Sequence, residues 1–276
     1  MSNYSDSKMN PEAPPPPYTA PAPQDSGGSP ARGLGGAAEP QPQSQLQCQF
    51  PPKFNLYSTS PFDGRSYTLG EHRSQPLYAV AMHSGLSGQP STILYSGASD
   101  QTAPLGTADG TALSSATTIE LFLPGGAGPC TYQAESGGGF AHRTLRFDVE
   151  VGGGGNGGRE TFEWRHSKGD EVRALGKQLQ GWKLVWLGSG GGGGGGGSSS
   201  SSAGGPKSSD GNGVVAVWAH GHMSRSKFFC FQFVGSGLGS GMGDRWTLVT
   251  ILTALRMWDR ERAQRVHTVS VGGGGA

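Results

Sequence analysis

WTLVTILTALRMW, running from Trp246 to Trp258, decides how the rest of the chain is read. It is the one long apolar run, and it is apolar on nearly every side, so it requires burial all round. As a helix it reaches only about 20 Å at ~1.5 Å per residue, short of the ~30 Å hydrocarbon core of a bilayer. Arg256 and the threonines at 247, 250 and 253 weaken a membrane span further. Thr247, Val249, Thr250, Ile251 and Thr253 are β-branched and leave a strand open, but the length favours a helix over a strand of roughly 5–6 residues. Asp244 is placed to cap its start, and Asp259, Arg260, Glu261 and Arg262 solvate its end.

Upstream of this segment, short β-like runs recur between Gly, Ser and Pro. They cover 65–69, 77–83, 91–95, 119–123, 131–134, 142–151, 160–166, 181–187, 214–219 and 227–234, with 105–108 a weak candidate. The run from His142 to Val151 is the clearest: Leu145, Phe147, Val149 and Val151 alternate with Thr144, Arg146, Asp148 and Glu150. A period of two means one buried face and one wet face. Phe162 and Trp164 against Glu163 and Arg165 repeat it, and the intervening GGGGNGG reads as an expanded hairpin loop. Ten or eleven such runs predict a sandwich or barrel, with the apolar helix as its plug. Leu248, Ile251, Leu252, Leu255 and Trp258 are then the helix residues expected to be buried by strands on most sides. Trp164, Trp182, Trp186 and Trp218 fall at inward strand positions and read as core.

The flanks differ in composition. With Gly at 50 and Pro at 19, these two residue types make up a quarter of the 276 residues, so part of the length is not core. Residues 1–53 are rich in Pro, Gln, Ser and Gly, and too poor in apolar residues to offset the entropy of ordering. We read 1–53 as a disordered tail, 54–266 as the folded domain with a disordered Gly/Ser insertion at 188–213, and 267–276 as a disordered C-terminal tail. A net charge of +1 argues against nucleic acid held by bulk electrostatics. Cys48, Cys130 and Cys230 are odd in number, widely spaced and without a CxxC pair. A disulfide framework or zinc site is therefore not expected, and the default compartment is the reducing cytosol or nucleus. No secretion signal, myristoylation glycine or prenylation box is visible, so the chain reads as cytoplasmic, peripheral at membranes if it meets them at all.

Pro15, Pro16 and Tyr18 define a PPxY string on the Pro-rich tail. Proline pre-sets the polyproline II conformation, so such a segment docks in an aromatic-lined groove at low entropic cost. The expected partner is a WW-domain protein, such as a HECT-type ubiquitin ligase; against this, Pro-rich tails generate such strings by composition. Arg165, Lys168, Arg173, Lys177 and Lys183 form a loose basic cluster with Glu163, Asp170 and Glu171 interleaved. A solvated surface accounts for it, and an anion or phospholipid-headgroup site is the sharper alternative. His220 and His222 could pair on a metal, but no third ligand is placed by spacing. GxGxxG, Walker, GxSxG and HExxH sequences do not occur, so no residue is nominated as catalytic and no cofactor is called for.

RSYTLGEHRSQPLYAV (65–80), ETFEWRHSKGDEVRALG (160–176), GWKLVWL (181–187), VVAVWA (214–219) and FQFVGSGLGSGMGDRWTLVTILTALRMWDRE (231–261) resemble a filamentous-fungal protein family. That family is similar to the tubby C-terminal-like superfamily, alongside LURP-one-related proteins and phospholipid scramblases. The resemblance implies a closed antiparallel barrel of roughly twelve strands around a buried C-terminal helix. It also implies two functions to test. One is a non-enzymatic interaction module that meets phosphoinositides through basic barrel residues and recruits WW-domain proteins through its tail. The other is a scramblase-like membrane protein, although the scramblase calcium motif and palmitoylated cysteine cluster have no counterpart here.

Overall fold

A computed structural model describes residues 49–60, 64–84, 87–110, 115–123, 128–138, 143–152, 158–176, 180–188, 205–221 and 226–272, the side chains of 240 and 266–272 excepted. The PPxY tail, Lys177, His222 and most of the Gly/Ser insertion lie outside these residues.

The fold is mainly β. Twelve strands follow one another as β1 (Lys53–Ser58), β2 (Ser66–Gly70), β3 (Tyr78–Met82), β4 (Thr92–Tyr95), β5 (Pro104–Asp109) and β6 (Ala116–Leu121). The second half is β7 (Cys130–Gly137), β8 (Thr144–Glu150), β9 (Arg159–Ser167), β10 (Gly181–Gly188), β11 (Val214–His220) and β12 (Lys227–Phe233). A one-turn helix α1 (Asp170–Arg173) joins β9 to β10, and the long helix α2 (Gly243–Gly272) ends the chain. Every strand pairs antiparallel with its neighbour in sequence, and β1 pairs with β12, closing the barrel. Closure leaves the barrel with no edge strand among the described residues to template aggregation.

β1 spans the expected domain start at 54 but was not among the strands read from sequence. Its register, Phe54 opposite Phe231 and Leu56 opposite Leu69, puts both side chains into the core and seals the seam. Order reaches further back than residue 54: Phe233 donates its N–H to the Pro52 carbonyl at 2.8 Å, and the Phe50 ring stacks on Tyr78 at 4.2 Å.

The interior of a barrel widens roughly in step with strand number, and twelve strands leave room for a helix about 10–12 Å across. α2 takes that room. Leu248, Ile251, Leu252 and Leu255 have no exposed surface, and Trp258 is 1% exposed. Two of the three threonines in its apolar run are satisfied locally, whereas the Thr250 hydroxyl is buried with no hydrogen-bond partner among the described residues. Thr247 and Thr253 donate to the carbonyls of Gly243 and Thr250, and Trp164 Nε1 donates to Thr253 Oγ1 at 2.9 Å. The helix does not end at the charge run Asp259–Arg262, as expected from sequence, but continues to Gly272, past the expected domain end at 266. Asp244 lies one residue inside its start. No helix among the described residues is long and apolar enough to cross a membrane.

The wall is lined unevenly. On β5 the small residues Gly106 and Ala108 join Leu105 in the core; a Cβ at Gly106 would stand 2.8 Å from Leu252 Cδ1 and 2.7 Å from the Glu120 carbonyl. β9, β11 and β12 instead bring in Phe162, Trp164, Trp218, Phe229 and Phe231. β11 is buried on both faces. Its outer residues Val217 and Ala219 pack with Cys230 under Val172 and Leu175 of the α1 turn. That outer cap is why VVAVWA shows no alternation.

Candidate functional site

The basic cluster read from sequence maps to the outer face of β9 and β10. Arg165 and Lys183 are cross-strand partners in the ladder. Like charges opposed in this way repel unless carboxylates intervene, and carboxylates do. Arg165 bonds Glu163 and Asp210, each at 2.6 Å; Lys183 lies 3.4 Å from Glu171; Arg173 bonds Asp170 at 2.9 Å. Burial works against the Arg165 charge, but the bonds to Asp210 and Glu163 outweigh it and raise its pKa. Ser208 and Arg165 together hold the Asp210 carboxyl far below the ordinary range. Lys168 is exposed and makes no ion pair among the described residues. The structure thus brings Arg165, Lys168, Arg173 and Lys183 to one side of the barrel, interleaved with carboxylates.

A second constellation forms where α2 leaves the barrel, and it was not legible as a site. The helix meets the rim on three faces. Toward β1 and β2, Arg262 donates to the Gly64 carbonyl at 2.8 Å and to Tyr67 Oη at 2.6 Å. Its guanidinium also lies over the rings of Tyr67 and Trp258, 5.7 and 5.4 Å from their centroids. Asp259 joins this face to Arg256, at 3.6 Å from Arg262 and 2.8 Å from Arg256.

Toward β10 and β11, Glu261 accepts from Trp182 Nε1 at 2.8 Å and contacts His220 Nε2 at 2.6 Å. Burial alone would raise the Glu261 pKa, but His220, Trp182 and Arg265 keep it below the usual carboxylate range. Rings surround this contact: Trp182 stacks on Trp218 at 6.0 Å, and His220 meets Trp218 edge-on at 5.6 Å. His220 is therefore a partner of the helix, and the described residues contain no group of side chains that could hold a metal.

Toward β5 and β8, Arg256 donates to the Gly110 carbonyl, while Arg143, at the head of β8, bonds Gln264 at 3.1 Å. Burial pushes Arg256 down and Asp259 up from their ordinary values. Arg260 is likewise lowered by burial and by its neighbours Arg256 and Arg143. The spacing of 256, 260 and 264 was the available signal, because positions four apart share a helix face. It was obscured because the charge run was read as the helix end.

No family model matches the chain. The curated proteins and the solved structures likewise yield no match.

Proposed function

We propose that this protein is a non-enzymatic interaction module: a rigid, filled barrel that displays surfaces, and a Pro-rich tail that recruits a partner. The observation that carries this reading is the occupied lumen. α2 and the aromatic side chains of β9–β12 fill the interior, with Leu248, Ile251, Leu252 and Leu255 wholly buried. Binding therefore falls to the outer faces, the rims and the tail. A twelve-stranded barrel around one helix is also the architecture implied by the tubby-like resemblance, which supports kinship with that superfamily as part of the proposal.

The tail carries Pro15, Pro16 and Tyr18 in the spacing that a WW domain reads, so a WW-domain ligase is the proposed partner. The β9–β10 face, with Lys168 exposed at its edge, is the proposed contact with anionic phospholipid in a peripheral, cytosolic setting. A pull-down with an isolated WW domain tests the tail. Tyr18→Ala should abolish capture, and equal capture of wild type and variant would refute the tail reading. Flotation with anionic vesicles at low salt tests the face. Recovery should fall in Lys168→Glu, and no recovery of the wild-type chain removes the membrane contact.

A further inference from the structure

Where α2 passes β4, β5 and β6 on its way out of the barrel, three buried polar atoms have no hydrogen-bond partner among the described residues. They are Thr92 Oγ1, Thr117 Oγ1 and Arg256 Nε. Thr92 shares a strand face with Leu94, and Thr117 with Ile119, so both belong to the inner wall. The ladder gathers them. Thr92 lies opposite Ala108, and Ala108 opposite Ile119. One pair beyond Asp109 and Thr118, Gly110 comes beside Thr117: a Cβ on Gly110 would stand 3.5 Å from Thr117 Oγ1. Arg256 reaches the same place from the helix, donating to the Gly110 carbonyl. With only Ala108 and Gly110 as the wall of β5 here, little side-chain volume separates the hydroxyls from the guanidinium. Thr92 has no exposed surface, Thr117 is 1% exposed, and the Arg256 side chain is 8% exposed. A donor buried without an acceptor costs free energy that a bridging group recovers.

The chemistry of these atoms selects the bridging group. Arg256 Nε can only donate, whereas a threonine hydroxyl donates and accepts, so the group between them must accept and be able to donate. The Arg256 charge is already matched by Asp259 at 2.8 Å, with Asp109 adding to the negative field. A further anion would stand against both carboxylates, and a small neutral molecule would not. We propose that the interior site between Arg256, Thr117 and Thr92 binds ordered water, one molecule bridging Arg256 Nε to Thr117 Oγ1. The water completes the attachment of α2 to β5 and β6, so the last buried turn of the helix is held to the wall by a polar bridge as well as by apolar packing. The site is separate from the β9–β10 face and from the tail, so it stands or falls independently of both.

Two measurements test the site. Thr117→Val keeps the shape of the side chain and removes its hydroxyl. Were that hydroxyl without any partner, valine would replace an unsatisfied polar group by an apolar one and stabilise the fold. With a bridging water in place, the variant loses a hydrogen bond, and the folding equilibrium constant from urea titration should fall about fivefold. A crystal structure of the wild-type chain at a resolution that shows ordered water, grown from bromide, reads the site without any substitution. Density for a water within hydrogen-bond reach of both Arg256 Nε and Thr117 Oγ1, together with the weakened variant, upholds the proposal. It is overturned if no density bridges the two atoms, if the anomalous signal of bromide shows a halide there instead, or if Thr117→Val folds as stably as wild type or more so.

Discussion

Gly106 shows how far single residues set this packing. Its missing side chain lets Leu252 of the helix reach the backbone of β5. Leucine methyls can shift, but the Glu120 carbonyl that a Cβ would meet cannot. Gly106→Val should therefore cost about 1–3 kcal/mol, seen as a lower urea midpoint at an unchanged slope; an unaltered midpoint would mean the helix does not lie against β5. At the mouth, Glu261 is the residue that links helix to wall. Its pKa is depressed in the folded state, so its contribution is present above the unfolded carboxyl value of about 4.3 and is lost as pH falls through the lower folded value. Glu261→Gln should accordingly melt below wild type near neutral pH, and the gap should narrow once the pH drops below about 4. A gap independent of pH would show that the carboxylate charge contributes nothing.

Among the elements, α2 ties sequence to fold most directly. Trp246–Trp258 could be read as a buried helix because a segment apolar on all sides has few places to go in a chain of alternating strands. Its remaining turns could not be read in the same way. Beyond Trp258 the helix is held by the rim, through Arg262 on Gly64 and Glu261 on Trp182, and such partners leave no apolar stripe in the sequence. β5 looked weak for a related reason. Gly106, where the helix presses closest, and Ala108 are small, so the usual β-branched and aromatic signal is missing. β1 was overlooked because KFNLYS is short, follows two prolines and carries Asn55 and Tyr57, whose polar ends meet the Glu71 carbonyl outside the barrel. The β9–β10 cations were visible as a cluster, whereas Asp210, the partner of Arg165, lies 45 residues away within the 188–213 segment read as a disordered insertion, whose last residues are instead ordered against β9. At this scale Leu252→Ala should cost about 2–5 kcal/mol. Leu252→Asp, which places a charge where the side chain has no exposed surface, should leave no folded domain. A soluble Leu252→Asp protein with a cooperative melt would contradict the buried helix.

For the whole molecule, sequential antiparallel pairing and one closing seam make the barrel a simple meander, but α2 can be enclosed only when the β1–β12 seam is in place. Wall and plug are then one cooperative unit, since neither buries its apolar face without the other. On the proposed function, this filled body would act only through its rim, its outer faces and its tail. Native-state amide hydrogen exchange along Trp246–Trp258 tests it most directly. The buried helix should exchange only through global unfolding, at the same free energy as Phe231 and Trp164 in the surrounding wall. Exchange of the helix amides at a markedly lower free energy than the wall would contradict the account, because it would mean that the helix leaves the barrel while the strands remain closed.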